Sequence, residues 1–468
     1  MRGLLPWRRR EKQRGLHLWP IRRVLVLAFA AAAVAAAAVF FIGWKLLGVQ
    51  GLASEQRIGS KTLFDLAKLS FGVAAGAGAL VALVVAYRRQ KVGEDAVERE
   101  KTRLHNERFT HAVDQLGNES EAVQLGAVHA LASLADDAPT RDLRQTCIDV
   151  LCAYLRLPYT AKADLPEDDA QAQHHYLALR EVRRTVIRLI RNHLRLAPEH
   201  PHSWQGHQFD FTTVIFDGGD FSGAVFSGGT VNFFGAEFSG GKVDFSGAVF
   251  SGGGVFFRNV KISGGLVNFY GAMFSGTRVD FCDARVPGGK VTFRNAKISD
   301  GIVDFRNAEL SGGTVSFRGA EISAGRVNFS GGGFIGGTVD FRGAKFAGGT
   351  VNFSGVRFSS KVDFSDAEIS ASKVTFFGAK ISAGRVNFRG AGFTGGTVNF
   401  DATFAGGTVN LGATFAGGTV NFSGARFSGG TVDLSTASGI PPTGLIPEHG
   451  RPSPAGLNLP PDWYPTED

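Results

Sequence analysis

The chain has 468 residues, a formal net charge of +8 and 44% hydrophobic residues, with 63 glycines and 40 phenylalanines but only 6 tyrosines. This imbalance fits buried rings that have no hydroxyl to satisfy, and it argues against an aromatic surface for stacking bases. The three cysteines, Cys147, Cys152 and Cys282, are too few and too scattered for a disulfide framework, so we expect a reducing compartment.

The first part of the chain has the pattern of a membrane hairpin. Residues 1–23 form a basic tail with eight Lys or Arg and one acid, and they precede an uncharged run of 21 residues at 24–44. A second uncharged run of 19 residues follows at 69–87. Each run is long enough for one crossing. Because positive charge is densest outside the outer ends, we predict two spans in the plasma membrane, an external loop at 45–68 and both termini in the cytoplasm.

A cleaved export signal is the alternative for the first uncharged run, and it would place the rest of the chain outside the cell. The run is longer than the apolar core of a signal peptide, and a second apolar run follows it. The hairpin therefore fits the sequence better.

Residues 88–200 have few glycines and form a predicted cytoplasmic helical segment. Apolar residues recur at intervals of three and four between 109 and 157, turn residues stand at 117–118 and 136–139, and two further helices are predicted at 146–157 and 176–196. Small residues along one face resemble HEAT-type helix pairs. The last of these helices carries six arginines, which suit either a solvated face on a packed helix or a contact with anionic lipid or nucleic acid: Arg180, Arg183, Arg184, Arg188, Arg191 and Arg195.

A twelve-residue repeat fills residues 206–438. Valine recurs at every twelfth position from Val231 to Val351 and continues to Val432 with three steps of eleven. Self-similarity at a short, fixed period predicts a solenoid. A typical repeat, residues 338–349, carries Val339/Phe341 and Ala344/Phe346 as pairs two positions apart, so each repeat supplies two short strands. Its Gly-Gly is predicted to turn a corner with positive φ.

The spacing of the large apolar residues indicates a particular solenoid. Phenylalanines are five apart from Phe211 to Phe226, and Asp or Asn often precedes the central Phe, as at Asp244 and Asn268. This pattern resembles the pentapeptide repeat family. The resemblance implies an all-β, right-handed, quadrilateral parallel β-helix with the central Phe stacked inside. The predicted core ladder includes Val231, Phe233, Phe238, Val243, Phe245, Phe250, Val339, Phe341 and Phe346.

The departure from that family is two extra residues, usually Gly-Gly, after every second pentad. Four faces with two inward residues each need two repeats, so we expect a 24-residue coil. A two-sided coil made of a single repeat is the alternative. The whole order, from two transmembrane helices through a helical segment to repeats, resembles a type of membrane protein found in actinobacteria.

No residue pattern indicates a catalytic, cofactor or metal site. His200, His202 and His207 lack Cys or acidic partners at metal-site spacing and are interpreted as a linker. The Gly-Gly-Thr-Val-Asp-Phe sequences lack the glycine and aspartate spacing of calcium-binding coils. We therefore expect a protein that is not an enzyme and has no cofactor.

Two functions remain as hypotheses. The first is a membrane-anchored scaffold or protein-interaction module, in contact with the lipid bilayer and with another protein or a second copy of itself. The candidate interaction ladder consists of arginines that recur at every second repeat: Arg294, Arg318 and Arg342. The second is a DNA mimic that binds a type II topoisomerase, as some pentapeptide repeat proteins do. A mimic needs an acidic rod, whereas residues 206–437 carry 20 Lys plus Arg against 17 Asp plus Glu. Nucleic-acid binding is disfavoured because the charges are mixed and the rings lie inside.

The chain ends in a Pro-rich segment at 439–468 with eight prolines. Its composition predicts a disordered or extended tail. Trp463 and Tyr464 offer a means to cover the open last coil, whose edge would otherwise invite pairing with other chains.

Overall fold

The computed structural model describes residues 60–166, 168–445 and 455–463, together with isolated positions between 26 and 45. The predicted basic tail at 1–23 and, apart from those positions, the first predicted span at 24–44 lie outside the described residues. By its internal contacts the chain divides into two units, Met1–Leu104 and His105–Asp468.

One long helix, α1 (Ser60–Leu116), makes up most of the described part of the first unit, and its last residues, from His105, belong to the second. Its portion from Phe71 onward is long and apolar enough to cross a membrane, and no second described helix meets that criterion. Large apolar side chains such as Phe71 and Leu83 are exposed on it. The second predicted span, 69–87, lies within α1, which begins nine residues earlier than that span. The two-span topology stays a prediction.

Three further helices, all in the second unit, are α2 (Glu121–Asp136), α3 (Arg141–Arg156) and α4 (Ala170–Leu194); a 3-10 turn at Lys162–Asp164 precedes α4. Helices α3 and α4 begin five and six residues before their predicted starts. N-caps explain both differences: the Thr140 hydroxyl accepts a hydrogen bond from Leu143 N (3.2 Å), and the Asp169 carboxylate accepts one from Ala172 N (2.9 Å).

The three helices form a helical collar on the first coil of the solenoid. Leu131 of α2, Leu151 of α3 and Ile190 of α4 are fully buried and belong to one continuous apolar cluster with Trp204 and Phe211. Because Phe211 lies in the first coil, the collar covers the N-terminal end of the solenoid. An uncovered end would leave these rings in water.

The solenoid has four faces, defined by the strands that stack in parallel along each of them. The first face holds β1 (Phe209–Asp210), β5 (Thr230–Asn232), β9 (Gly254–Phe256), β13 (Arg278–Asp280), β17 (Ile302–Asp304), β21 (Arg326–Asn328), β25 (Thr350–Asn352) and β29 (Lys373–Thr375). The second face holds β2 (Ile215–Phe216), β6 (Glu237–Phe238), β10 (Lys261–Ile262), β14 (Arg285–Val286), β18 (Glu309–Leu310), β22 (Gly333–Phe334), β26 (Arg357–Phe358), β30 (Lys380–Ile381), β33 (Thr403–Phe404) and β36 (Arg426–Phe427).

The other two faces follow the same rule. The third face holds β3 (Gly219–Asp220), β7 (Lys242–Asp244), β11 (Leu266–Asn268), β15 (Lys290–Thr292), β19 (Thr314–Ser316), β23 (Thr338–Asp340), β27 (Lys361–Asp363), β31 (Arg385–Asn387), β34 (Thr408–Asn410), β37 (Thr431–Asp433) and β39 (Leu457–Asn458). The fourth face holds β4 (Val225–Ser227), β8 (Val249–Ser251), β12 (Met273–Ser275), β16 (Lys297–Ile298), β20 (Glu321–Ile322), β24 (Lys345–Phe346), β28 (Glu368–Ile369) and β38 (Ser438–Gly439). Strands β32 (Gly392–Asn399) and β35 (Thr414–Asn421) run from the fourth face into the first.

Strand register fixes the coil length. Val243 pairs with Val267, and Val267 pairs with Val291, so each coil takes up two repeats and contains four strands. Where the sequence has an eleven-residue step, the coil is one residue shorter, as from Val339 to its partner Val362. The predicted 24-residue parallel coil is therefore confirmed, and the alternative coil of a single repeat is wrong.

The interior is a set of stacked phenylalanine rings. All nine residues of the predicted core ladder are buried. Phe317 lies parallel to Phe293 and Phe341 of the adjacent coils, with ring centroids 4.7 Å and 4.9 Å away. It also meets Phe305 and Phe329 edge to face, at 6.3 Å and 6.0 Å. Stacked and edge-to-face pairs at these distances are the favoured aromatic geometries.

Asp or Asn before the central Phe has a local role at the corners. The side-chain oxygen accepts a hydrogen bond from the backbone N–H two residues on, as from Ser246 N to Asp244 (3.0 Å) and from Ser354 N to Asn352 (2.9 Å). Short side chains that satisfy the backbone in this way favour turns. This explains the preference without any bound cation.

The Gly-Gly pairs do not all have the predicted positive φ. Many of them are glycine for a different reason, because adjacent coils pack closely at these positions. Gly252 and Gly253 do have positive φ, but Gly336 and Gly337 do not. A Cβ at Gly337 would lie 2.5 Å from the carbonyl oxygen of Gly313 in the preceding coil. Positive φ occurs instead between the two strands of a repeat, as at Gly343 (60°).

Gly337→Ala is expected to lower the free energy of unfolding by about 1–3 kcal/mol, because backbone must move to admit the methyl group. Gly333→Ala is the matched control: it lies four residues away and has no atom within 4 Å of an added Cβ. Chemical denaturation of the purified full chain, followed by circular dichroism, compares the two. Equal midpoints would show that the coils are not in tight contact here.

The other end of the solenoid is covered by part of the Pro-rich segment. Strand β39 pairs with β37 of the last coil, and Trp463 is buried with its ring centroid 5.9 Å from that of Phe415. Leu457 and Leu459 are buried beside it. Within residues 455–463 the chain thus adds an extended strand to the solenoid and is not disordered there. Their alternating apolar residues match the pleat of a strand.

Candidate functional site

The three candidate arginines come together at one corner of the solenoid. Each stands three residues after the inward valine of a third-face strand: Arg294 after β15, Arg318 after β19 and Arg342 after β23. Asn295 N donates to Arg318 O (3.0 Å), and Gly319 N donates to Arg342 O (2.9 Å), so the backbones stack coil upon coil. All three side chains are exposed. The 24-residue coil therefore places one arginine above another at a spacing of about 4.8 Å.

A fourth arginine belongs to the same corner. Gly343 N donates to Ser365 O and Asp366 N donates to Arg389 O (both 3.0 Å), so the row continues through Ser365 to Arg389. A fixed step of 24 from Arg342 points to Asp366, because the eleven-residue step shifts the register by one. Counting from the valines instead would have found Arg389. We call Arg294, Arg318, Arg342 and Arg389 the arginine corner.

Only one member of the arginine corner is neutralised among the described residues. Arg342 donates to both oxygens of Asp340, at 2.9 Å each. Burial alone would raise the pKa of Asp340. The hydrogen bonds from Arg342 outweigh burial, so the pKa of Asp340 is lowered. At the equivalent positions Arg294, Arg318 and Arg389 follow Thr292, Ser316 and Asn387, and the described residues offer them no ion pair. Among the described residues the corner thus carries three positive charges without an ion pair, on Arg294, Arg318 and Arg389.

The basic helix α4 uses its arginines to dock on the first coil. Arg183 is buried and donates to Leu155 O (2.7 Å) and Ile215 O (2.8 Å), and it stacks over the Tyr159 ring at 4.1 Å. Arg191 pairs with Asp220, and Arg195 donates to Ser222 O (2.7 Å). The sequence suggested a solvated face or a contact with anionic lipid or nucleic acid for the arginines of this helix. Neither accounts for Arg183, Arg191 and Arg195, which contact the solenoid.

A shared carboxylate strengthens the same junction. Asp217 of the first coil accepts hydrogen bonds from Tyr159 (2.8 Å) and Tyr176, and Arg180 lies 3.7 Å from it. Burial and the neighbouring Asp217 raise the pKa of both tyrosines, so they remain donors at neutral pH. The arrangement is a structural network between α4, the preceding loop and the solenoid.

The histidines predicted to form a linker lie near the collar. His207 is buried against Gln145, with 3.0 Å between His207 Nδ1 and Gln145 Oε1; burial, with Arg141 and Arg144 nearby, lowers the pKa of this histidine to about 4. His202 Nδ1 instead lies 3.8 Å from Asp136, which also bonds His193 (3.0 Å).

Both cysteines of α3 are buried, and burial raises the pKa of Cys147 to about 11 and that of Cys152 to about 12. The buried positions of His207 and of the two cysteines favour a packing role over a reactive or metal-binding one.

One cluster on the first face has the donor types of a metal site. Ligand atoms of Asp280, Cys282 and Asp304 lie within 4.8 Å of one another. However, Arg278 Nη2 reaches both Asp304 (2.8 Å) and Asp280 (3.2 Å), and Arg306 Nε lies 3.0 Å from Asp304. Burial and Asp280 raise the pKa of the Cys282 thiol to about 12. Guanidinium groups already supply the charge that a cation would bring, so this is an ion-pair network.

These features define a β-solenoid repeat protein closed at both ends. No family model, curated protein or solved structure matches the chain. The resemblance to the pentapeptide repeat family therefore stays a prediction from the sequence pattern.

Proposed function

We propose that the chain is a non-catalytic, pentapeptide-repeat-like scaffold that recruits an acidic protein surface through the arginine corner. We further propose that two spans anchor it in the plasma membrane and that the repeats face the cytoplasm. The observation that carries the proposal is the row of exposed arginines on stacked backbones, three of which have no ion pair among the described residues. Repeated side chains on a rigid solenoid present an extended binding surface.

The charge of this surface favours an acidic partner. Arginine offers a planar fork that suits carboxylates on a facing protein, and it is enriched at interface hot spots. Stacking at strand spacing would let one acidic strand or helix contact several coils. A topoisomerase-binding DNA mimic, the alternative, would present the opposite charge.

Charge reversal tests the proposal. Arg294→Glu/Arg318→Glu/Arg389→Glu is expected to weaken partner binding by on the order of 30-fold or more, since a hot-spot residue contributes about 2 kcal/mol. Proximity labelling in the native host, with the labelling enzyme fused to the full chain, measures the loss. The matched control reverses three exposed cations of the second face: Arg357→Glu/Lys380→Glu/Arg426→Glu.

Proteins labelled by wild type and by the control, but not by the corner variant, are the expected partners. An unchanged set with the corner variant would show that another surface recruits them. Recovery of a type II topoisomerase would favour the mimic, and labelling of external proteins alone would overturn the cytoplasmic orientation.

A further inference from the structure

A cleft of about 370 Å³ lies between α4 and the third face of the first two coils. Helix α4 contributes Arg184, Arg188 and Arg191, and β3 and β7 contribute Asp220, Lys242 and Asp244. Four positive groups therefore face two carboxylates. The cleft is distinct from the arginine corner, whose first member lies two coils farther along the chain.

Both carboxylates of the cleft already have partners. Asp220 is paired with Arg191. Asp244 pairs with Lys242 at 2.6 Å and also accepts hydrogen bonds from Ser246 N (3.0 Å) and Asn268 Nδ2 (2.8 Å). These contacts leave the cleft with a surplus of two positive charges.

The surplus resides on Arg184 and Arg188, which are one turn apart on α4. Arg188 makes one long side-chain hydrogen bond, to Thr185 Oγ1 at 3.2 Å, and neither arginine has an ion pair among the described residues. Their spacing of four residues places both guanidinium groups on the same side of the helix. Two such groups can hold an oxyanion through several charge-assisted hydrogen bonds.

Gly219 lines the cleft, and Gly218 precedes it in the chain. A Cβ at Gly219 would lie 3.0 Å from Ile187 Cδ1, and one at Gly218 would lie 3.3 Å from Arg184 Nη2. Gly218 also has φ of 140°, which an L side chain rarely adopts. The absence of a side chain at these two positions lets α4 approach the sheet closely.

We propose that this cleft binds a phosphate group carrying at least two negative charges. The volume accommodates a small phosphorylated compound or a phosphomonoester headgroup of a lipid. This inference is independent of the arginine corner and of the partner that it recruits. Binding there would tie the collar to the first coil, because the cleft takes residues from both.

Isothermal titration calorimetry with inorganic pyrophosphate tests the site, on the full chain in neutral detergent micelles. We expect a Kd of about 1 mM or tighter. Arg184→Gln/Arg188→Gln should raise the Kd at least about tenfold, because both charge-assisted contacts with pyrophosphate are lost. Arg357→Gln/Arg426→Gln removes the same charge from exposed positions of the second face and should leave the Kd unchanged.

Competition distinguishes the two sources of phosphate. Displacement of pyrophosphate by short-chain phosphatidic acid, but not by glycerol 3-phosphate, would identify a lipid headgroup, and comparable displacement by both would identify a soluble phosphate compound. Either result supports the site. An equal Kd for both double variants, or no heat of binding up to about 1 mM, would overturn it without bearing on recruitment by the arginine corner.

Discussion

Phe317→Ala is expected to lower the free energy of unfolding by about 3–5 kcal/mol. Phe317 is fully buried and is stacked between Phe293 and Phe341, so its removal leaves a cavity inside the central coils. In a solenoid each coil contacts only its neighbours, and the loss should therefore be concentrated at this level of the rod. Chemical denaturation measures the total effect, and limited proteolysis shows where the chain opens.

Phe377→Ala is the matched control for that experiment. Phe377 lies at a corner with 59% of its surface exposed, so truncation should change stability by no more than about 0.5 kcal/mol. If the two variants unfold alike, the stacked rings do not supply the main stability of the solenoid.

Arg183→Met is expected to lower the free energy of unfolding by about 3 kcal/mol, since the buried carbonyl of Leu155 and the half-buried carbonyl of Ile215 would both lose a donor. The damage should appear as faster amide hydrogen exchange in α4 and the first coil, with the distal coils unaffected. Arg357→Met, at an exposed position of the second face away from α4, removes the same charge and should leave exchange in α4 and the first coil unchanged.

Equal exchange in the two arginine variants would contradict the interpretation of α4. It would mean that the apolar contacts of Val186 and Ile190 hold the helix in place without the buried guanidinium. The pair of variants thus separates apolar docking from hydrogen-bonded docking on one helix.

The solenoid was predictable because its pattern is repeated. Alternating pairs such as Val339/Phe341 define the inward side of each strand, and a mistake in one repeat is corrected by its neighbours. The 24-residue coil followed from the number of inward residues that four faces need. Pairing of Val243 with Val267 confirms it.

Long-range contacts were the part that the sequence did not reveal. The role of Gly337 depends on a carbonyl one coil away, and the docking of Arg183 depends on Ile215 O, 32 residues along the chain. Arg389 was missed because an eleven-residue step changes the register. Trp463 was considered as a cover for the last coil, but its place beside Phe415 becomes evident only in three dimensions.

The mismatch between a sequence period of twelve and a coil of twenty-four has an evolutionary consequence. Gain or loss of two repeats would lengthen or shorten the rod and leave every downstream side chain on its original face. Gain or loss of a single repeat upstream of β15 would rotate everything beyond it by half a turn, and would carry the arginine corner to the opposite side. Viable length variants should therefore differ by even numbers of repeats wherever the orientation of that corner relative to the collar matters.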